Sequence, residues 1–166
     1  MSGDLDEVVR VATIADSAAI TALEATAREI VSTMRGGLRL LAESPPVGDW
    51  QALVERGDRH VVVGTLDGVI VGYLELEIGD VIAEVRQVYV DPEARELGLG
   101  DGMLLHAMDV ARHRGCSTIE GTALPGDRGT KNLYERAGIT ARKITVSRGL
   151  GGPLPSEPST RAAASR

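Results

Sequence analysis

The chain has 166 residues, 43% of them hydrophobic and 25% charged, with a formal net charge of −6. That length suits a single domain with an aliphatic core, because Trp50, Tyr73, Tyr89 and Tyr134 are the only aromatic residues. The acidic balance argues against nucleic acid as a partner, and a lone Cys116 excludes an internal disulfide or a multi-cysteine zinc site.

The N-terminus, MSGDLDEVV, is acidic and has no apolar signal region, so a cytoplasmic protein is expected. No apolar run approaches the ~20 residues of a membrane span, so no membrane partner is expected. Residues 8–12 form a short apolar run that predicts a strand. Thr13-Ile14-Ala15-Asp16 then reads as a capping box, with Ile20, Leu23, Ala27, Ile30 and Met34 following at helical spacing. Gly36-Gly37 interrupts. Leu38, Leu40 and Leu41 predict a short second helix that ends at Ser44-Pro45-Pro46, and a third surrounds Trp50.

Residues 60–66 and 69–78 predict two strands joined at Asp67-Gly68, a strong hairpin signal. Strict alternation puts Ile70, Leu74, Leu76 and Ile78 on one face of the second strand, and Tyr73, Glu75 and Glu77 on the other. A further strand covers 83–90. Along it, one face changes from Glu84 and Arg86 to Val88 and Val90, a switch that marks a bulge. Residues 98–114 predict a helix with Met103, Leu104, Ala107, Met108, Val110 and Ala111 inward. A strand at 117–124, a short helix at 130–137 and a final strand at 141–148 complete the pattern. The first 148 residues read as one α/β domain, and 149–166, rich in Pro, Gly, Ser and Ala, as a disordered tail.

One stretch needs an explanation. A strand ending at Val90 leads through a charged loop into Gly98, Gly100 and Gly102 at the start of a helix, where glycine lowers stability. Free N–H groups and the helix dipole make such a start a phosphate site, and bare backbones admit a bulky anion. Arg95, just ahead, adds a positive charge. A P-loop is excluded because Asp101 stands where lysine is needed. A dinucleotide fingerprint is excluded because position 103 is Met.

Arg95-Glu96-Leu97-Gly98-Leu99-Gly100 resembles the Arg/Gln-x-x-Gly-x-Gly/Ala signature of the GNAT superfamily of N-acetyltransferases. It follows a strand ending Val88-Tyr89-Val90-Asp91-Pro92. Leu133-Tyr134-Glu135-Arg136-Ala137-Gly138-Ile139 resembles a second family segment, about forty residues further on. The likeness spans residues 8–148. It implies a mixed, mostly antiparallel twisted sheet of six to seven strands with helices on both faces.

The resemblance also implies acetyl-CoA as co-substrate, with no metal. The coenzyme would lie against Val88, Tyr89 and Val90, along the 95–102 segment (Arg95, Glu96, Leu97, Gly98, Leu99, Gly100, Asp101 and Gly102), and near Lys131 and Tyr134. A side chain at Gly98 or Gly100 would then collide with the pyrophosphate. The acceptor would be a small-molecule or protein amine, attacking directly in a ternary complex, and homodimers are common in the family. Tyr134 fills the position of the family's usual acid, and Glu84 that of a catalytic glutamate of the histone-type members. Glu75 and Glu77 suit attraction of a cation. Asp127 replaces an Asn that often contacts coenzyme in the family, which leaves that contact open. The alternative is a non-catalytic acyl-CoA-binding or regulatory module. His106, Asp109 and His113 share a helix face that reads as solvated, and Cys116 reads as core.

Overall fold

The computed structural model describes residues 5–152. Its strands β1 (Glu7–Val11), β2 (Arg59–Leu66), β3 (Val69–Ile78), β4 (Ile82–Val90) and β5 (Thr118–Gly121) form one sheet in chain order. The first four are antiparallel, and β5 joins β4 in parallel. The helices are α1 (Ser17–Ser32), α2 (Gly37–Glu43), α3 (Trp50–Glu55), α4 (Leu99–His113) and α5 (Arg128–Arg136). No described helix is long and apolar enough to cross a membrane.

The local signals explain several joints. The Thr13–Asp16 capping box forms around a single 3-10 turn that leads into α1. Asp16 also accepts two hydrogen bonds from Arg10, at 2.7 and 2.9 Å, and so ties the end of β1 to the start of α1. The β2–β3 turn places Asp67 at φ 49° and Gly68 at φ 78°. Both are left-handed, as the two-residue turn matching sheet twist requires.

Helices cover both faces. On one, α4 and α5 bury Met103, Leu104, Ala107 and Leu133 against Val62, Leu74, Leu76, Ala83 and Val85. On the other, Ile20 of α1 and Trp50 and Leu53 of α3 pack on Val61, Val63, Tyr73 and Tyr89. Each fully buried aliphatic side chain contributes roughly 1.5–3 kcal/mol.

Two bulges set which side chains face which layer. In β3, Val71 is extra, since Gly72 pairs with Gly64 and Ile70 with Thr65. Ile70 therefore leaves the face of Leu74 and Leu76 and packs in the cluster of Tyr73, while Val71 packs against the α4 side. In β4, Arg86 is extra, because Gln87 pairs with Glu75 and Val85 with Leu76. This is the bulge that the polar-to-apolar switch predicts.

The sheet has five strands rather than six or seven. β5 stops at Gly121 instead of reaching residue 124, and residues 141–148 form no strand. A strand exists only where a neighbour takes up its backbone groups. Residues 140–152 are all exposed and have no such neighbour in the chain as described. Most of the tail, 153–166, lies outside the described residues.

Candidate active site

The parallel pairing of β5 covers only Ile82–Val85 of β4. Beyond the Arg86 bulge, that edge of β4 has no strand beside it among the described residues. Asp91 N–H donates to the Val71 carbonyl at 2.8 Å, on the β3 side. Backbone groups alternate along a strand, so those of Tyr89 also face β3, while those of Val88 and Val90 face the open edge. Arg95 Nε occupies the Val90 carbonyl at 2.9 Å. The Val88 N–H and carbonyl and the Val90 N–H are left to bind something else.

The start of α4 is also open. Gly98, its N-cap, has φ 80° and ψ 2°, and no side chain caps the helix. The first intrahelical bond runs from Gly102 N–H to the Gly98 carbonyl at 2.9 Å. The N–H groups of Leu99, Gly100 and Asp101 therefore lack helical acceptors, and the helix dipole adds to their positive field.

The glycines are small for different reasons, which corrects the sequence expectation. A Cβ on Gly98 would meet nothing within 4 Å and would point into open space. One on Gly100 would stand 3.3 Å from Leu133 Cδ1 and 3.5 Å from Val90 Cγ2. One on Gly102 would stand 3.0 Å from Val9 Cγ2. Gly98 alone borders free space; Gly100 and Gly102 let α4 approach α5 and β1.

Other predicted contacts divide in the same way. Leu99 is buried in the core, which leaves only its backbone to a ligand, and Leu97 packs partly buried against the same core. Asp101 accepts from Arg136 Nε at 2.9 Å, and Arg95 lies over the Tyr89 ring, 6.0 Å from its centroid. Glu96 is exposed, and Lys131 is exposed with Glu135 3.9 Å away.

Asp127 is the N-cap of α5, accepting from Thr130 N–H at 3.0 Å and Thr130 Oγ1 at 2.7 Å. Tyr134, about two turns further on, is 6% exposed. Its hydroxyl lies over Gly121, where any side chain would strike it. Tyr134 borders a pocket of about 110 Å³ together with Arg28, Arg86, Gln87, Val88 and Asp127. Burial first, then the charges of Asp127 and Glu84, push its pKa well up, so the phenol keeps its proton at any ordinary pH.

Glu84 does not line that pocket. It bonds Arg86 at 3.1 Å and stands in register with Glu77 of β3 and Glu120 of β5. Beyond Arg86 and Gln87 the groove widens to about 390 Å³, bounded by Arg59, Glu75 and the chain from Ser44 to Asp49.

Between the two spaces lies a network that local pattern does not reveal. Gln87 Nε2 donates to both Glu24 and Glu75 at 3.0 Å, and its carbonyl accepts from the Tyr73 hydroxyl at 2.8 Å. Trp50 Nε1 donates to Glu24 at 2.9 Å, and Arg59 to Glu75 at 2.6 Å. Burial pushes the Glu75 carboxyl up, and the Arg59 charge opposes it. Arg59 bonds Glu75 and reaches Glu77 at 3.3 Å, so neither acid is free for a ligand cation. Glu24 and Gln87 are 63 positions apart, and no periodicity links them.

His106 Nε2 meets His60 Nε2 at 3.2 Å instead of facing solvent, and His113 bonds the Asp109 carbonyl at 2.8 Å. No group of three metal-ligating side chains occurs among the described residues. Cys116 packs against the α4-side core.

Comparison with known proteins places this geometry. Residues 22–139 match the family model for the acetyltransferase (GNAT) family. An uncharacterised N-acetyltransferase of Methanocaldococcus jannaschii is 23% identical over 99 residues, which are 55% of this chain and 44% of that protein. The chain thus spans less than half the length of this relative. Among solved structures, the tetramutant of the BH1408 protein from Bacillus halodurans superposes with TM-score 0.72 at 17% identity, covering 86% of this chain and 99% of that one. An aminoglycoside N-acetyltransferase in complex with CoA superposes with TM-score 0.66 at 12% identity, covering 89% and 98%. The folds agree, and with the family model matched over most of its length this chain belongs to the GNAT acetyltransferase family.

Proposed function

We propose that the chain moves an acetyl group from acetyl-CoA to a primary amine, by direct attack while both substrates are bound. The carrying observation is the open edge of β4 between Val88 and Val90, set beside the uncapped start of α4 and bordered by Tyr134. The pantetheine arm bears amides that pair with a free strand edge as another strand would. The pyrophosphate suits the free N–H groups of Leu99, Gly100 and Asp101 and the unobstructed side of Gly98. The amine enters through the groove beyond Arg86 and Gln87.

A lysine-like amine has a pKa of ~10.4, so its free base costs about 4–5 kcal/mol at pH 7. A positioned base recovers part of this. Glu24 and Glu75 are bound by Trp50, Gln87 and Arg59, and Asp127 caps α5. Glu84 also pairs with Arg86, but its side chain is 45% exposed and its charge is felt at the Tyr134 hydroxyl, so it is the carboxylate assigned as base. It takes the proton through water. Tyr134 then gives its proton to the departing thiolate. Tyr134 regains its proton from solvent, and with a thiol pKa near 8.5 the overall protonation of the thiolate is worth only about 2 kcal/mol at pH 7.

The test is calorimetric titration of the protein with acetyl-CoA, with NAD as control, followed by thiol-release assays over small amines, peptide N-termini and lysine peptides. Acetyl-CoA binding with turnover of one amine class is expected. Absence of acetyl-CoA binding overturns the reading. Binding that supports no turnover with any amine reduces the chain to a coenzyme-binding module.

A further inference from the structure

The charged side chains lining the pocket of about 110 Å³ beside Val88 and Tyr134 are Arg28, Arg86 and Asp127. Two of them are already matched. Arg86 stands 3.1 Å from Glu84 and 3.7 Å from Glu77, and Asp127 caps α5 through Thr130. Arg28, half-buried on α1, forms no ion pair among the described residues. Its guanidinium donates to main-chain carbonyls only, Nη1 to Ser44 at 2.7 Å and Nη2 to Leu41 at 3.3 Å. Glu24, one turn earlier, spends its oxygens on the Val47 N–H, Trp50 and Gln87.

The two carbonyls hold the guanidinium in place without neutralising it. An arginine has five N–H donors, and most of those on Arg28 are left over. Its charge reaches the Tyr73 hydroxyl, which borders the same pocket. A cation taken partly out of water calls for an anion. The opposite requirement is not met. In the wider groove of about 390 Å³ the acids are engaged as well, Asp49 as the N-cap of α3 and Glu75 by Arg59 and Gln87. Neither space offers a free carboxylate to a second cation on an acceptor.

We propose that the acceptor carries a carboxylate close to its reacting amine, as a free α-amino acid does, and that Arg28 receives that carboxylate. The inference rests on the acetyl-transfer reading above and names the acceptor class for the same site. With the amine turned to the Val88 edge and Tyr134, the small volume of the pocket keeps the carboxylate near, where the planar fork of Arg28 can bind both oxygens. The side chain of the acceptor extends into the wider groove. A peptide N-terminus presents an amide in place of the carboxylate and leaves Arg28 unmatched. A linear diamine brings a like charge toward it.

The experiment compares kcat/KM, by thiol release from acetyl-CoA, for free α-amino acids, the amides of the same amino acids and linear diamines. Each is run on the wild type, Arg28→Gln and Arg28→Lys. The best free acid should exceed its amide by about tenfold or more in the wild type, with diamines lowest. Arg28→Gln should abolish that preference, chiefly through KM for the acid, and Arg28→Lys should keep part of it. The acid-to-amide ratio within one variant does not depend on how much of it is folded. Equal use of acid and amide by the wild type, or a preference that survives Arg28→Gln, overturns this inference and leaves acetyl transfer standing. So does acetyl-CoA binding with turnover confined to amides, peptides or diamines, or with no turnover of any free amino acid. A wild type that does not bind acetyl-CoA overturns both.

Discussion

Gly98 and Gly100 lie two residues apart in one motif, and the structure makes opposite predictions for them. Gly98 sits at φ 80° with open space where a Cβ would go. Alanine there meets no atom and carries only left-handed strain, about 1–2 kcal/mol, partly offset by lower chain entropy in the unfolded state. The net loss is about 1 kcal/mol, or about 2–4 °C in melting temperature. The added methyl projects into the space assigned above to the pyrophosphate, so acetyl-CoA affinity should fall by about tenfold or more. Gly100 is helical and faces Leu133 and Val90 at 3.3 and 3.5 Å. Valine there drives branched carbons into a filled core, which costs about 1–3 kcal/mol or more. Gly100→Ala, the milder change, should lower stability slightly and leave affinity for acetyl-CoA within about twofold. Thermal melts followed by circular dichroism and calorimetric titration separate the two effects. If Gly98→Ala binds acetyl-CoA like the wild type, or Gly100→Ala loses affinity without losing stability, the assignment of the open and packed sides of this helix start is wrong.

Three further predictions follow from named groups. Tyr134→Phe should lower kcat about 30-fold at pH 7, the equivalent of the ~2 kcal/mol of thiolate protonation, with little change in acetyl-CoA affinity. Because the phenol is pushed above its usual range, wild-type kcat should show no loss from its ionisation below about pH 10. Asp16, 8% exposed and forked by Arg10, has its pKa lowered from 3.8 to about 2. A depressed carboxyl stabilises the fold above its unfolded pKa and ceases to do so as pH falls through the folded value. Asp16→Asn should therefore lose about 1–2 kcal/mol in urea melts at pH 7, with Arg10 partly solvated, and the gap should close as pH falls through about 2. His60, against His106 and near Arg114, has its pKa lowered from 6.5, chiefly by burial. The unfolded chain then takes up the proton first, so stability should be full above pH 6.5 and decline below it. His60→Gln should flatten that decline in denaturant melts between pH 7 and 5.

Much of this protein is written locally. Asp67-Gly68 specifies its turn because both residues tolerate positive φ, and Thr13 with Asp16 marks a helix start because their groups satisfy each other within three residues. The change from Glu84 and Arg86 to Val88 and Val90 reveals a bulge, since the alternation itself slips. The same reasoning misplaces Ile70, because an extra Val71 leaves an apolar run apolar and the slip is silent. The functional motif is legible as a glycine pattern, but the reason for each glycine is not. Only packing shows Gly100 against Leu133, Gly102 against Val9 and Gly98 against nothing.

By itself, then, the sequence determines the helices, the hairpin, the family and the order of the elements as far as α5, all carried by spacing within a few turns of chain. The tertiary structure alone decides what depends on distant partners. Gln87 joins two buried acids because β3 and α1 both reach it. β4 acquires a free edge because β5 leaves after Gly121. Residues 141–148 keep their strand pattern and form no strand within the chain, because pattern supplies a face and only a neighbouring backbone supplies the hydrogen bonds.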